Sequence, residues 1–535
     1  MSILLLPRKV DTKRLRTRFT GAKFYDFATD SFRSELFAED GYVCEPVEVD
    51  KEIELPAGYA FPAFRDGHAH PLFAGREAMG PVVTGAKSIA AIQKILREFR
   101  QMNSEANWIE GGAYDRSIVD GGLFLASWID EAISDVPVVL HASDHHTIWV
   151  NSKALEFIST PVPSLSAGSI DLDGNSKPSG VLREPEAMAL VLDRAPARSL
   201  QEEVKSLIWA DKVLASQGIV EAQDAWITSG MTEVYLAAVS EDLLALSYNL
   251  AFKIEPGSWE ASLKFANADR QKVVALSHPK LSASTVKFFA DGVFGSGTAS
   301  VLDPYFDDQT SHGEPLWGEE ALQQACLEAS SLGFQLHIHA IGDAGVRQAL
   351  DAIEHVQNLH GAPGLPSVIA HAELISDSDI PRFKALGVVA NMQPLWAQAD
   401  GMLTSCVPRL GQARIDQMYR MRDLLNSGAT ISFGSDWPVS SSNPLLGIAT
   451  AVTRQTADSK PEGGWTTHQA VTVLEGLSCY SSAVKYQLTG NHSTALAVGE
   501  PCDFVLLTNN ALGVDLADIR NIQVIETYKS GQRIF

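Results

Sequence analysis

Strand-like and helix-like segments alternate along residues 61–436, and this alternation restricts the fold more than any other feature of the sequence. Such alternation is typical of βα units that build a parallel sheet. Eight strands are predicted, at Phe61–His70, Val136–His141, Gly218–Asp224, Thr285–Asp291, Gly333–Ala340, Ser367–Ala372, Gly387–Gln393 and Ala429–Asp436. The segments between them carry apolar residues at helical spacing. The sequence therefore predicts an α/β fold, a (β/α)8 TIM barrel.

Short strand-like segments at both ends of the chain fall outside this barrel. Those in residues 18–60 are too few to form a stable domain alone, and so are those in residues 503–535. We expect the two ends to combine into a small β-sandwich of residues 1–60 and 490–535. The barrel would then occupy residues 61–489, with long loop insertions near residues 72–135 and 150–200 that cover its mouth.

The charge and the absence of targeting signals narrow the class of partner. A net charge of −23 disfavours nucleic acid and anionic lipid as general partners. No apolar run approaches the ~20 residues that a membrane helix needs, and the Ile3–Leu6 run is too short for a secretory signal. The five cysteines are scattered, which fits reduced thiols. We expect a cytoplasmic protein that acts on a small-molecule substrate, with a homodimer as the default assembly.

The segment Phe61–Pro71, FPAFRDGHAHP, places two histidines at the end of an apolar strand. Side chains alternate across a strand, so His68 and His70 lie on one face. Two imidazoles on one face suit a transition-metal ion. The alternative interpretation is that one histidine is packed in the core and the other is solvated.

Ligand-type residues recur at the ends of other predicted barrel strands, where buried polar groups need a partner. Each has an ordinary structural alternative. The lysine could be paired with Asp291, any of the histidines could be a hydrogen-bonded core residue, and the aspartate could cap the following helix. The carboxyl ends of barrel strands meet at one mouth, so their convergence predicts one shared metal site. These residues are Lys287, His337, His339, His371 and Asp436.

With these residues in place, the chain resembles the metal-dependent amidohydrolase superfamily. It is more narrowly similar to the amidohydrolase-3 group, the YtcJ-like and N-substituted formamide deformylase-like enzymes. The resemblance covers essentially the whole chain, and its narrower form rests on five segments. They are HTIWVNSKAL (His146–Leu155), SGVLRE (Ser179–Glu184), VKFFADGVFGSGTA (Val286–Ala299), HAIGDAGV (His339–Val346) and FGSDWPVSSSNPL (Phe433–Leu445).

The resemblance implies one or two divalent ions, with zinc favoured, and assigns residues to them. His68, His70 and Asp436 match the ligands of the more buried ion, and His339 and His371 match those of the second. The HAIGD context selects His339 over His337. Lys287 matches a position that many relatives carbamylate with CO2, so that it bridges both ions. Asp436 would also be the catalytic acid and base. His146 would be catalytic or substrate-binding, and Asp144 and Arg183 are weaker candidates for substrate binding.

The implied reaction is hydrolysis of a carbon–nitrogen bond, in an amide or an N-acyl or N-formyl compound, through metal-activated hydroxide. Two alternatives stay open. The same site could hydrolyse an ester, a lactone or a cyclic amidine, or the barrel could be a regulatory protein without catalysis. Several positions depart from the subgroup pattern, including His145, where glycine is common, and Gly297, where arginine is common. These departures concern the substrate more than the reaction.

Overall fold

The computed structural model describes residues 15–27, 29–143, 145–159, 162–165, 168–492 and 496–535. Its central feature is a sheet of eight parallel strands that lie side by side in chain order, which confirms the predicted barrel. The strands are β1 (Phe64–Ala69), β2 (Ile219–Ile227), β3 (Ser247–Lys253), β4 (Leu281–Phe289), β5 (Gln335–Ala340), β6 (Val368–His371), β7 (Val389–Met392) and β8 (Thr430–Phe433).

One of the eight predicted barrel strands was wrong. Residues Val138–Ala142 do form a strand, but it pairs within a separate sheet. The second barrel strand is Ile219–Ile227, and the third is Ser247–Lys253, which the sequence analysis did not identify. The two errors compensated, so the fourth to eighth strands kept their predicted positions in the barrel order.

The first and last barrel strands meet at a seam that backbone hydrogen bonds close. The amide of Asp436 donates to the carbonyl oxygen of His68 at 2.7 Å, and the amide of His70 donates to that of Trp437 at 2.7 Å. The Asp66 carboxylate crosses the same seam and accepts from the amide and hydroxyl of Ser435, at 2.9 and 2.5 Å. Residues near 68 and near 436 are therefore fixed side by side.

A five-stranded sheet is inserted between β1 and β2. Its strands are Ser169–Leu172, Pro178–Arg183, Thr147–Val150, Val138–Ala142 and Ile109–Tyr114, in spatial order. Four helices accompany it, at Ile89–Met102, Ala126–Asp130, Ser152–Leu155 and Glu184–Leu192. The two predicted loop insertions are thus parts of one folded unit that has its own apolar cores.

The terminal segments build two further sheets, in agreement with the predicted small sandwich. One holds Arg16–Thr20, Leu36–Glu39, Tyr42–Val43 and Lys51–Glu54, and the other holds Lys23–Asp26, Ser31–Arg33, Tyr59–Pro62, Phe504–Leu507, Val524–Lys529 and Gln532–Arg533. The sheets share an apolar core in which the ring of Phe19 packs edge-on against Phe504 at 5.3 Å. Residues 1–14 and 493–495 lie outside the described part of the chain, and the domain boundaries at 60 and 490 stay a prediction.

Helices surround the barrel. The longer ones are Pro71–Ala78, Leu200–Ser216, Met231–Ser240, Trp259–Leu276, Glu319–Ser331, Asp343–His360, Pro444–Thr453, Val473–Cys479 and Ser482–Thr489, and the shorter ones are Ile380–Ala385, Gly401–Ser405, Val407–Leu410, Gln412–Ile415 and Met421–Asn426. Within the described residues, none of the helices has the length and apolar character needed to cross a bilayer.

Gln487 ties the interior of the barrel to the last long helix. Its buried amide donates to the carbonyl oxygen of Gly67 at 2.8 Å and to Gln223 at 2.6 Å, and it accepts from Ser432 and Asn391. Gln487→Met leaves these buried groups without partners, so we expect it to lower the free energy of unfolding by about 2–4 kcal/mol.

Urea unfolding followed by tryptophan fluorescence measures this loss. Gln101→Met, at an exposed position of the helix Ile89–Met102, is the control and should stay within about 0.5 kcal/mol of the wild type. Equal stability of the two variants would contradict the role of Gln487.

Candidate active site

Six predicted ligand residues lie at the carboxyl ends of barrel strands, and all six are buried. His68 is in β1 and His70 directly follows it, while Lys287 is in β4, His339 in β5 and His371 at the end of β6. Asp436 follows β8 by three residues. The parallel order of the strands brings all of them to one mouth of the barrel.

The tightest group consists of His68, His371 and Asp436. One potential ligand atom from each lies within 4.8 Å of the others, which is the spacing that a shared metal ion requires. His68 Nε2 is 3.4 Å from Asp436 Oδ1, and His70 Nε2 is 2.8 Å from the same oxygen. Four side chains from three different strand ends thus converge on one point.

His339 joins this group through His371, because their ring centroids are 4.5 Å apart. His371 Nδ1 is 2.8 Å from Gln393 Oε1 and donates to it, which leaves Nε2 as the lone-pair nitrogen of His371. The Trp396 ring stacks on His371 with an interplanar angle of 2° and fixes its orientation. The four predicted imidazoles therefore share one pocket.

Lys287, which lies within β4, is the sixth member of the group. Its Nζ is fully buried, 3.2 Å from His68 Nε2 and 4.9 Å from the centroid of the Phe289 ring. Burial lowers the pKa of Lys287 to about 7, although the charge of Asp436 opposes this shift. A lysine in this environment is readily neutral.

The backbone is strained at two of these residues. Asp436 has φ of 54° and His371 has φ of 74°, and few residues other than glycine adopt such values. Residues held in this region cost about 1–3 kcal/mol each and cluster at functional sites. The strain directs both side chains toward the shared pocket.

The residues fit a divalent metal ion. Metal-binding histidines must be neutral, and burial lowers the pKa of His68, His339 and His371, the last to about 4. Burial alone would raise the pKa of Asp436, but the close contact with His70, at 2.8 Å, and the nearby His371 and Lys287 lower it below its usual range, so this carboxylate is ionised. Asp436 Oδ1 is also buried without a hydrogen-bond partner of good geometry. Neutral imidazoles beside an ionised carboxylate are a suitable donor set.

His337 lies beside this group in a different role from His339. His337 Nε2 is 3.0 Å from His68 Nδ1, so this nitrogen of His68 is held away from the pocket centre. Residues two apart in a strand lie on one face, so strand geometry alone could not distinguish the roles of His337 and His339. His339 lies two residues nearer than His337 to the carboxyl end of β5, and its choice as the ligand stays a prediction.

Two of the three predicted substrate-binding residues belong to the inserted sheet: His146 directly precedes the strand Thr147–Val150, and Arg183 ends the strand Pro178–Arg183. His146 Nδ1 is 2.9 Å from Glu184 Oε2, and Glu184 also bonds Ser296 in the loop after β4, so this pair reaches the barrel. Arg183 forms a bidentate pair with Asp171, at 2.9 and 2.6 Å. Asp144 lies outside the described residues.

His145, which the sequence marked only as a departure from the subgroup pattern, borders the site. It has φ of 57°, its Nε2 is 3.4 Å from Glu77 Oε2, and its pKa is lowered to about 3 by burial and nearby histidines. His70 and Asp436 are among the groups that act on the pKa of His145, so this residue lies close to the candidate ligands. Gly297 sits against Arg409, whose Nη1 would lie 2.6 Å from an added Cβ, so a neighbouring arginine fills this space.

A parallel barrel with a buried cluster of histidine and aspartate at its strand ends has the architecture of metal-dependent hydrolases. The Amidohydrolase family model matches residues 51–535, and the chain belongs to this family. It is therefore an amidohydrolase-family hydrolase, as the resemblance predicted.

Curated relatives agree with this assignment. The chain is 30% identical over 504 residues to protein LONG AFTER FAR-RED 3 of Arabidopsis thaliana. This alignment covers 90% of this chain and 83% of the relative. It is 26% identical to the putative amidohydrolase YtcJ of Bacillus subtilis, over 96% of this chain and 98% of the relative. It is 23% identical to the N-substituted formamide deformylase of Arthrobacter pascens, over 90% of this chain and 89% of the relative.

A solved structure supports the fold. An uncharacterized metal-dependent hydrolase from Pyrococcus horikoshii superposes with a TM-score of 0.75 at 23% sequence identity, over 94% of this chain and 99% of that chain.

Proposed function

We propose that this protein hydrolyses a carbon–nitrogen bond, in an amide or an N-acyl or N-formyl compound, with one or two divalent ions, zinc being the expected metal. The observation that carries the proposal is the cluster of His68, His371 and Asp436, buried at the mouth of the barrel. The similarity to an N-substituted formamide deformylase favours the amide bond among the reactions that such a site can perform.

His68, His70 and Asp436 would hold the more buried ion, and His339 and His371 the second. Lys287, whose Nζ lies 3.2 Å from His68 Nε2, would supply a further ligand once it carries a carbamate. Such an ion supplies a Lewis acid for the carbonyl oxygen and a nucleophile at neutral pH. Gln393 holds the tautomer of His371, and the hydrogen bonds that Asp66 makes across the seam keep His68 and Asp436 in position.

Asp436 is the proposed acid and base of the reaction. Its carboxylate accepts the proton of the attacking water and delivers it to the leaving nitrogen, so the products are a carboxylic acid and an amine. Its ionised state and its buried Oδ1, which lies 2.8 Å from His70 Nε2, suit the first of these steps. His146, held by Glu184, orients the substrate carbonyl from the inserted sheet. Arg183 is a weaker candidate because Asp171 already occupies its guanidinium.

Lys287 is proposed to carry a carbamate. A neutral amine adds to CO2 and releases one proton, which gives an anionic oxygen donor where an ammonium would repel a metal ion. The buried amine, 3.2 Å from His68 Nε2, supports this modification.

Removal of the metal tests the proposal. We expect dialysis against a chelator to abolish hydrolysis of N-substituted formamides, and zinc to restore it. Restoration by zinc but not by magnesium is expected, because imidazole ligands disfavour magnesium. Unchanged activity in the chelated protein, with metal shown to be absent, would contradict the metal-dependent reaction.

A substrate panel tests the bond type. N-formyl and N-acetyl amines are compared with matched esters, lactones and cyclic amidines, and turnover confined to the last three would replace the amide by one of them. No turnover of any panel member by the metal-loaded protein would favour a regulatory barrel. A cytoplasmic location, a small-molecule substrate and a homodimer remain parts of the proposal, and size-exclusion chromatography with light scattering tests the last.

A further inference from the structure

Lys253 is a cationic residue inside the barrel that the proposed reaction does not use. It is the last residue of β3, so it stands at the carboxyl end where barrel enzymes bind their substrates. The preceding residue, Phe252, points outward and packs against Phe265 of the helix Trp259–Leu276 at 5.9 Å. Neighbouring side chains alternate across a strand, so Lys253 points inward.

Two aromatic rings hold the ammonium group of Lys253. Nζ lies 4.3 Å from the centroid of the Trp226 ring and 5.8 Å from that of Phe289. These are cation–π distances, and they fix the position of a side chain that is otherwise flexible. Only 18% of the Lys253 side chain is exposed.

The same two rings connect Lys253 to the candidate metal site. The Trp226 ring is 6.1 Å from that of His70, and the Phe289 ring is 5.0 Å from that of His339. Lys287 Nζ lies 4.9 Å from the same Phe289 centroid. The Trp226 and Phe289 rings therefore contact both the Lys253 ammonium and the proposed ligands.

The geometry points to Lys253 as the anchor for a carboxylate of the substrate, which would make the substrates amides that bear a carboxylate a few bonds from the scissile bond. This inference rests on the proposed function and adds a substrate class to it. In a chain with a net charge of −23, an anionic substrate needs a local cation at the mouth. The apolar faces of Trp226 and Phe289 would pack against the carbon chain between the carboxylate and the amide.

Glu255 holds the position that the substrate carboxylate would take. Its Oε1 is 2.6 Å from Lys253 Nζ, and half of its side chain is exposed. An exposed partner of this kind contributes little energy and turns into solvent readily. Glu255 thus shows that a carboxylate can reach Lys253, and it leaves when a better-buried carboxylate arrives.

Two substrates that differ only in the carboxylate test the inference. N-formyl-leucine carries it, and N-formylisoamylamine is the same molecule without it. We expect the metal-loaded wild-type protein to show a kcat/KM for N-formyl-leucine about 10- to 100-fold above that for the neutral compound.

Lys253→Met keeps the aliphatic length and removes the charge. It should remove this preference by raising KM for N-formyl-leucine about 10- to 100-fold, with kcat and the neutral substrate within about twofold of the wild type. Lys253→Arg should retain most of the preference, and Glu255→Gln should lower KM for N-formyl-leucine because a competitor is removed.

Lys272→Met is the matched control. Lys272 is also paired with carboxylates, at 2.6 Å from both Glu233 and Asp269, but it lies on the outer helix Trp259–Leu276. It should leave both substrates unchanged. Two results would overturn the inference: the wild type has equal kcat/KM for the two formamides, or Lys253→Met loses the same activity on both. In either case, hydrolysis of the neutral compound would still support the proposed function. Failure to cleave either formamide, together with cleavage of the matched esters, overturns the proposed function itself.

Discussion

Asp436→Asn is expected to lower kcat by about 10²- to 10⁴-fold while most of the bound metal stays in place. The amide cannot accept and return the proton, but its oxygen remains near His68 and His70, which are 3.4 and 2.8 Å from Asp436 Oδ1. Steady-state kinetics and metal analysis on the same sample separate the two effects.

Asp242→Asn is the control for this substitution. Asp242 precedes β3 at the opposite end of the barrel and is 78% exposed beside Lys280. It should keep wild-type kcat and metal content. Full activity in Asp436→Asn would refute the proposed proton transfer, whereas loss of activity together with all of the metal would reduce Asp436 to a ligand.

Lys287→Met is expected to lower metal affinity by more than about 100-fold and to reduce turnover to background. The reason is that Lys287 is fully buried among the proposed ligands, 3.2 Å from His68 Nε2, so its loss would remove a donor from the proposed site. Native mass spectrometry should show the mass of one CO2 on the wild type and not on the variant. Isotopically labelled bicarbonate should give a carbamate signal in the NMR spectrum of the wild type alone.

Lys529, which is half-buried, offers a control for Lys287. Burial lowers the pKa of Lys529 to about 8, and its Nζ donates to Ser247 Oγ at 2.7 Å, far along β3 from the mouth. Lys529→Met should lower stability without altering metal content or the CO2 adduct. Wild-type metal content with an unmodified Lys287 would refute the carbamate and leave the histidine and aspartate ligands untouched.

The barrel was predictable because apolar strands and helical periodicity alternate in the sequence. Which sheet each strand joins was less predictable. Val138–Ala142 has the β-branched and apolar composition of a buried strand, yet it pairs in the inserted sheet. Ser247–Lys253 begins and ends with polar residues, and its place in the barrel depends on pairing with β2 and β4. Composition indicates that a segment is extended, but long-range contacts decide which sheet it joins.

The clustering of the candidate ligands was predictable for a simpler reason. Histidine, lysine and aspartate are costly at the ends of buried strands, and a parallel barrel brings those ends together. The neighbours that orient the cluster left no comparable signal. Gln393 ends a predicted strand and Trp396 follows it, and nothing in the sequence marks either as the residue that holds His371. Lys253 likewise left no signal in the sequence. Only the structure shows that its Nζ contacts the rings of Trp226 and Phe289.

The seam between β1 and β8 has a consequence for how the protein matures. A growing chain that ends before Asp436 already contains His68, His70, Lys287, His339 and His371, but not the carboxylate that would join them. Backbone bonds from Asp436 and His70 form only when the last strand docks beside the first. On the proposed ligand assignment, stable loading with metal would therefore follow synthesis of the last barrel strand, and nascent chains that end before Asp436 would not retain the ion.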